Sequence, residues 1–320
     1  MCSGDSPLEL DLPTFNHLLD SPHELVGAWF LDAMSAGYLT KGTNMTLEEH
    51  FADKGCVVTG AASGIGEAIS RLLLEAGAVV FMADRDMELL DSAVEQLGAL
   101  AERAVPADVD VTDQGKVERV IRDCASRHGR LDFLFNNAGL PYTNSIDEAT
   151  LEDWRRMIDV NLWGVIYGIN TAIPIMREQG GGHIVNTGSL AGLIPLPFQS
   201  LYCATKYAVV GLSESLRYEL AEENIHFSVV CPGDVATRIF GALVEGGHVE
   251  VKPPDHAIPA EVAAQTILEG VANQEGIIVL PEKDKENWNL YRTSPEVAEG
   301  VIMELFEKRR SNFQATGRYV

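Results

Sequence analysis

The chain has 320 residues, 46% of them hydrophobic, and carries 47 Asp and Glu against 24 Lys and Arg for a formal net charge of -23. That length allows a large buried core, while an acidic balance spread along the whole chain argues against nucleic acid or an anionic membrane as a partner, because phosphates are repelled. The five cysteines, Cys2, Cys56, Cys124, Cys203 and Cys231, are odd in number and lack metal-ligand spacing, so no metal is expected and a reducing cytoplasm fits best.

Residues 1–52 read as an N-terminal extension. Turn residues and acidic groups lead into ELVGAWFLDAMSAGY, where Leu25, Trp29, Ala33 and Met34 recur at helical spacing. The chain does not open on a charged and then apolar secretory signal, and the apolar stretch is too short to span a bilayer and is interrupted by Asp32. Two readings stay open. One is an ordered arm that packs on the core or on a neighbouring subunit through Trp29 and Phe30, favoured because exposed aromatic side chains are a liability. The other is a poorly ordered leader, with Met45 opening the core.

The next segment, CVVTGAASGIGEAISRLLLEAGAVVFMADRD, reads as a βαβ unit. Apolar runs at Cys56–Val58 and Val79–Ala83 are buried strands, Thr59 to Gly66 is a tight glycine turn, and Glu67–Ala76 has helical periodicity. Gly60 permits the sharp turn, while Gly64 and Gly66 let backbone amides approach a pyrophosphate that the helix N-terminus attracts. Asp84 closes the second strand, where a carboxylate accepts hydrogen bonds from ribose hydroxyls and repels a 2'-phosphate, so NAD is expected over NADP. Arg85 is the counter-argument, since it can pair with that phosphate, but Ala61, Ala62 and Ser63 of the turn supply no second cation.

The alternation then continues. Helices are predicted over Met87–Leu100, Gln114–His128, Leu151–Arg177, Leu201–Glu223 and Ala260–Asn273, and strands over Ala104–Val109, Leu131–Phe135, Gly182–Thr187, Phe227–Cys231 and Gly276–Leu280. This is the pattern of an α/β protein with a doubly wound parallel sheet, whose ligands sit at the C-terminal ends of the strands.

Tyr202 and Lys206, in LYCATKYAVVGL, stand one helical turn apart on one face. A tyrosine titrates near pH ~10 when free, and a fixed ammonium beside it favours the phenolate, so that it can take a proton from an alcohol as hydride leaves the same carbon.

With the glycine turn and this pair, the chain resembles the short-chain dehydrogenase/reductase superfamily in its single-domain branch. The matching residues are TGxxxGxG at Thr59 to Gly66, Asp110 in DVTD, NNAG at Asn136 to Gly139, Asn161 in VNLWG, Ser189 in NTGSLAG, YxxxK at Tyr202 to Lys206 and PGDVAT at Pro232 to Thr237. The resemblance implies a Rossmann-type catalytic domain over residues 53–282, with residues 283–320 as a helical C-terminal extension. It implies a catalytic tetrad in which Tyr202 is the acid/base, Lys206 lowers its pKa and holds the nicotinamide ribose, Ser189 holds the substrate oxygen and Asn161, on a locally distorted helix, completes a proton relay. Coenzyme contacts are implied for Gly60, Ser63, Gly64, Ile65, Gly66, Asp84, Arg85, Asp110, Val111, Asn137, Ala138, Gly139, Pro232, Gly233, Val235 and Thr237, besides Tyr202 and Lys206 themselves. Asn137 is read as chiefly architectural. Subunits of the family commonly pair into homodimers or homotetramers through the helices carrying Asn161 and Tyr202. The function implied is NAD-dependent hydride transfer on a secondary alcohol or ketone; an NADP-dependent reductase using Arg85 and a non-catalytic dinucleotide-binding scaffold are the alternatives.

Leu190, Leu193, Pro195, Phe198 and Leu201, facing Leu140, Pro141 and Tyr142, suggest a mainly apolar substrate pocket for a small hydrophobic alcohol or ketone. RIFGALVE and the glycine- and proline-rich stretch after it read as a lid over this pocket. The terminal helix is capped by Ser294, begins at Pro295 and offers Val297, Val301, Leu305 and Phe306 as an apolar face.

Overall fold

The structure, a computed structural model, describes residues 46–237, 253–316 and Tyr319. The expected arm with Trp29 and Phe30, and residues 238–252 of the expected lid, lie outside the described residues. In chain order the elements are α1 (Leu47–Phe51), β1 (Gly55–Thr59), α2 (Gly64–Glu75), β2 (Val79–Asp84), α3 (Met87–Glu95), β3 (Ala104–Asp108), α4 (Gln114–Arg127), β4 (Phe133–Asn136), α5 (Leu151–Ile158), α6 (Gly164–Gln179), β5 (Gly182–Thr187), α7 (Ser200–Glu219), β6 (Ile225–Pro232), the short β7 (Val235–Ala236) and β8 (Ile258–Pro259), α8 (Ala260–Ala272), β9 (Ile277–Leu280), α9 (Glu282–Thr293) and α10 (Pro295–Thr316).

Seven parallel strands form one sheet in the order β3-β2-β1-β4-β5-β6-β9. Both faces are covered, which is why β1 and β4 are buried along their whole length and read as unbroken apolar runs. One hydrophobic cluster joins Ile69 and Leu73 of α2 to Ile267 and Leu268 of α8; the other joins Ile121 of α4 to Ile169 of α6 and Val209 of α7. The strand order reverses between β1 and β4, and the loops leaving those two strands open the crevice in which such sheets bind ligands.

Several boundaries differ from the sequence reading, each for a local reason. α2 begins at Gly64 rather than Glu67, because Ser63 is the extended residue that caps it, so Gly64 and Gly66 lie in its first turn. The helix expected to run to Leu100 stops at Glu95 and gives way to a 3-10 turn that opens at Gly98, whose φ of 58° is left-handed. The single helix expected over Leu151–Arg177 is divided by a π-helical segment, Asp159–Trp163, and the Gly164 amide bonds the Asp159 carbonyl five residues back.

The compact unit begins at Met45, ahead of the boundary expected at residue 53. Thr46 and Glu49 form a reciprocal capping box on α1. The helix delivers Phe51 to the core, fully buried, with its ring 4.9 Å from that of Phe133.

The C-terminal segment holds one helix that hydrophobic periodicity did not reveal. α9 buries none of its residues, so EKDKENWNLYRT has no apolar stripe to read. α10 turns inward a face that matches the expected one in part: Val301, although 52% exposed, lines a cavity with Leu305, whereas Val297 is 59% exposed and Ala298 is buried in its place. The inward stripe continues through Ile302, Leu305 and Arg309. Phe306 stacks on Phe198 with centroids 5.4 Å apart, and Tyr319 stacks on the same ring at 4.1 Å, which holds both rings against the loop before α7.

Candidate active site

Two cavities meet beside Tyr202. The first, about 330 Å³, runs from the glycine turn along the ends of β1, β2 and β4. The second, about 420 Å³, lies between the loop after β5, the Pro232–Thr237 segment, α9 and α10. Ile65, Pro141, Thr187, Tyr202 and Thr237 line both, so a ligand in either reaches the phenol.

The first cavity has the form of a dinucleotide cleft. Gly60 and Gly64 adopt φ of 67° and 60°, a conformation that side chains disfavour. Asp84 accepts from the Ala62 amide at 3.0 Å and from the Asp86 amide at 3.0 Å, so the carboxylate that would meet a ribose is held in place by the turn it faces. Ser63, Ile65, Arg85, Asp110, Val111, Ala138 and Gly139 line the same cleft, as the sequence reading expected. Gly139 lies beside Asn161 and Lys206: a Cβ there would stand 3.4 Å from Asn161 Oδ1 and 3.5 Å from Lys206 Nζ, in ordinary contact with both. The cleft therefore fits a nicotinamide dinucleotide.

Four of the residues expected to contact coenzyme do not line the first cavity. Pro232, Gly233 and Val235 line the second cavity and not the first, because β6 carries the chain past the cleft to the far side of Tyr202. Gly66 has a packing role instead: a Cβ there would collide with the Gly60 carbonyl and with Asn137 Nδ2, so glycine lets α2 sit against its own turn. Asn137 is architectural, as read, with Nδ2 donating to the Thr59 carbonyl at 3.0 Å and its amide donating to Thr59 Oγ1 at 3.0 Å, although it also lines the cleft.

The four candidate catalytic residues arrive from three stretches of chain, with Tyr202 and Lys206 both on α7. Asn161 lies in the π-helical segment, fully buried; its Oδ1 accepts from the Leu140 amide at 2.7 Å and its Nδ2 donates to the Leu140 carbonyl at 2.9 Å. Ser189 Oγ accepts from the Ala191 amide at 3.1 Å and donates to the Pro232 carbonyl at 3.4 Å, and its hydroxyl lies close enough to Tyr202 to favour the phenolate. Lys206 is buried, donates from Nζ to the Thr187 carbonyl at 2.8 Å, and lies 5.6 Å from the centre of the Tyr202 ring.

Electrostatics here depart from the expectation of a lowered phenol pKa. Burial pushes Tyr202 up to about 12, with the Ser189 hydroxyl opposing the rise. Burial likewise draws Lys206 down to about 8. The physical reason is that desolvation disfavours each charged form, and the ammonium is held on a carbonyl, over the ring rather than at its oxygen. At neutral pH the phenol is thus protonated. Asp110 moves the other way: burial raises it, but the Thr112 amide and hydroxyl, with Arg85 and Lys116, hold it below the usual carboxylate value.

The second cavity is mainly apolar, as expected, but only part of its lining comes from the residues named for it. Leu190 and Pro141 line it as anticipated, joined by Ile194 and Leu196. Leu193 and Leu201 are instead buried core residues, and Phe198 turns to the aromatic stack with Phe306 and Tyr319. Polar groups enter from elements remote in sequence, with Asp284 and Asn287 from α9 and Arg309 from α10. The sequence reading missed these, and nothing in their local pattern marks them. It also missed Leu89, Val160 and Thr187 in the cleft; of these Val160, in VNLWG, and Thr187, in NTGSLAG, lay within recognised motifs.

Comparison with known proteins agrees with this geometry. The family described as short chain dehydrogenase matches residues 54–246, and the chain belongs to that family. An uncharacterised oxidoreductase of Staphylococcus aureus (strain MW2) is 38% identical over 205 residues, 64% of this chain and 88% of its own length. One from Staphylococcus saprophyticus is 39% identical over 189 residues, 58% of this chain and 76% of the relative. Among solved structures, a short-chain dehydrogenase/reductase from Burkholderia phymatum in complex with NAD superposes with a TM-score of 0.70 at 29% identity, covering 78% of this chain and 96% of that one. Levodione reductase gives a TM-score of 0.65 at 26% identity, covering 73% and 99%. The protein is an oxidoreductase of this family. No described helix is long and apolar enough to cross a membrane.

Proposed function

We propose that this chain is an NAD-dependent oxidoreductase that interconverts a secondary alcohol and its ketone, with Tyr202 as the acid/base. The observation that carries the reading is the position of Tyr202 where the dinucleotide-shaped cleft and the second cavity meet, with Ser189 lining the second cavity beside it and Lys206 over its ring.

A nicotinamide held in the cleft supplies the hydride or accepts it. The protein's own residues then handle the oxygen and its proton. Ser189 donates a hydrogen bond to the oxygen as negative charge develops on it. Tyr202, protonated at neutral pH, gives its proton to that oxygen in reduction and takes one back in oxidation. Lys206 stabilises the phenolate that forms. Asn161 holds the Leu140 backbone in place beside the cleft, and the π-helical turn around it supports the reading of a locally distorted helix at this position.

NAD is preferred in this reading because Asp84 faces the adenosine end of the cleft with both oxygens already oriented by backbone amides. Homodimers or homotetramers built on α5 to α7 belong to the same reading, supported by Trp163 and Tyr207, 44% and 40% exposed. A cytoplasmic location and the absence of nucleic-acid or membrane partners follow the acidic charge and the cysteine usage. The test is NADH formation over a panel of secondary alcohols on apolar skeletons, with NADP run in parallel. Turnover is expected with NAD and such alcohols; turnover confined to phosphorylated sugars, or to NADP, contradicts it.

A further inference from the structure

Arg309 enters the second cavity from the last third of α10. It is partly buried, and its Nη1 donates to the Pro197 carbonyl at 2.6 Å. Among the described residues it makes no other hydrogen bond, and no carboxylate comes within 4.0 Å of it. A guanidinium carries five N–H donors in a fixed fork, so most of its capacity is unspent.

Such a group is costly to bury unless something answers its charge. Burial draws its proton affinity down, and Asp234 attracts it only from beyond ion-pair distance. The cavity's acids are engaged elsewhere. Asp234 pairs with His256 at 2.8 Å, and Asp284 accepts from Asn287 Nδ2 at 3.1 Å. Burial raises the Asp284 carboxyl toward its neutral form.

The fork is also held firmly. Pro197 precedes Phe198, whose carbonyl accepts from the Asn144 amide at 2.8 Å and whose ring is stacked on Phe306 and Tyr319. The same loop leads directly into α7 and Tyr202. The cationic donor and the candidate acid/base are thus tied to one braced segment, with Ile302 and Leu305 supplying apolar surface on the way.

We propose that Arg309 receives a carboxylate of the substrate, so that the secondary alcohol or ketone is carried on an apolar skeleton that ends in an acid group: a hydroxy acid and its keto acid. This deepens the dehydrogenase reading above and rests on it for the reacting end of the molecule.

The test measures binding and turnover separately. In the presence of saturating NAD, calorimetric titration compares cyclohexanecarboxylate with cyclohexanecarboxamide. The wild-type protein is expected to bind the acid at least about tenfold more tightly, in keeping with charge-assisted over neutral hydrogen bonds. R309Q is expected to bring the ratio close to one, and R309K to retain part of the preference. Equal affinity in the wild-type protein, or an undiminished preference in R309Q, overturns the proposal; the wild-type comparison decides even where a variant fails to fold. NADH formation from 4-hydroxycyclohexanecarboxylate and from cyclohexanol then separates the two claims. A carboxylate preference in binding with no turnover of any alcohol contradicts the dehydrogenase reading alone. Turnover of cyclohexanol with no preference for the acid contradicts the Arg309 assignment alone.

Discussion

The two cavities that share Tyr202 are built in opposite ways. The dinucleotide-shaped cleft is made where strands end, mostly from short runs of contiguous residues in the turn after β1, at the end of β2 and in the loops after β3 and β4. The second cavity takes its walls from the loop after β5, the segment after β6, α9 and α10, which meet only in the folded chain. The first is therefore set by backbone geometry, and the second by side chains on elements that close over the sheet's edge. Changes to the first should damage coenzyme binding and stability together, whereas changes to the second should alter which substrate is accepted.

The largest effect that sharpens this contrast is expected at their meeting point. Lys206→Met removes the cation over the Tyr202 ring and should lower turnover by roughly a thousandfold, within the range for acid–base groups. The accompanying pH signature comes from Lys206 being drawn down to about 8 while Tyr202 is pushed up to about 12. Ketone reduction needs the tyrosine protonated and the lysine charged, so its kcat/KM should fall as pH rises through about 8. Lys206→Arg, which stays charged, should move that limb upward. A flat profile across this range counts against the lysine's part.

Next in size is Gly66→Ala, whose methyl group meets the Gly60 carbonyl and the Asn137 amide. Overpacking of this kind costs about 1–3 kcal/mol, and both the melting temperature and NAD affinity should fall. If NAD affinity fell with no loss of stability, Gly66 would be a coenzyme contact after all.

A smaller effect, confined to the cleft, is expected from Asp84→Ala. The change removes a carboxylate that would oppose a 2'-phosphate and frees the Ala62 and Asp86 amides that it now occupies. The ratio of NAD to NADP affinity should shift toward NADP by on the order of tenfold. An unchanged ratio would remove Asp84 from the account of coenzyme choice.

How much of this was legible in the sequence follows the same division. The glycine turn, Asp84, the NNAG strand end and the Tyr202–Lys206 pair are local patterns, in which residue type and spacing fix backbone shape, and all of them line or brace the cleft. The seven-stranded sheet was readable for the same reason, since strands buried on both faces are continuous apolar runs. The packing of Gly66 against its own turn was not legible, because only the folded chain shows that contact. Arg309 and Asp284 could not be anticipated, since each stands among exposed charged residues on its helix and enters the cavity only through tertiary packing. The raised pKa of Tyr202 was hidden for a related reason, because spacing reveals a neighbouring cation but not the desolvation that outweighs it.

The measurement that bears most directly on the account is Tyr202→Phe, with NAD binding and alcohol oxidation followed in the same preparation. The phenol oxygen alone is removed, so NAD should bind as in the wild-type protein while turnover falls by about two to four orders of magnitude. Oxidation at the wild-type rate by the NAD-bound variant would contradict the assignment of Tyr202 as the group that moves the proton.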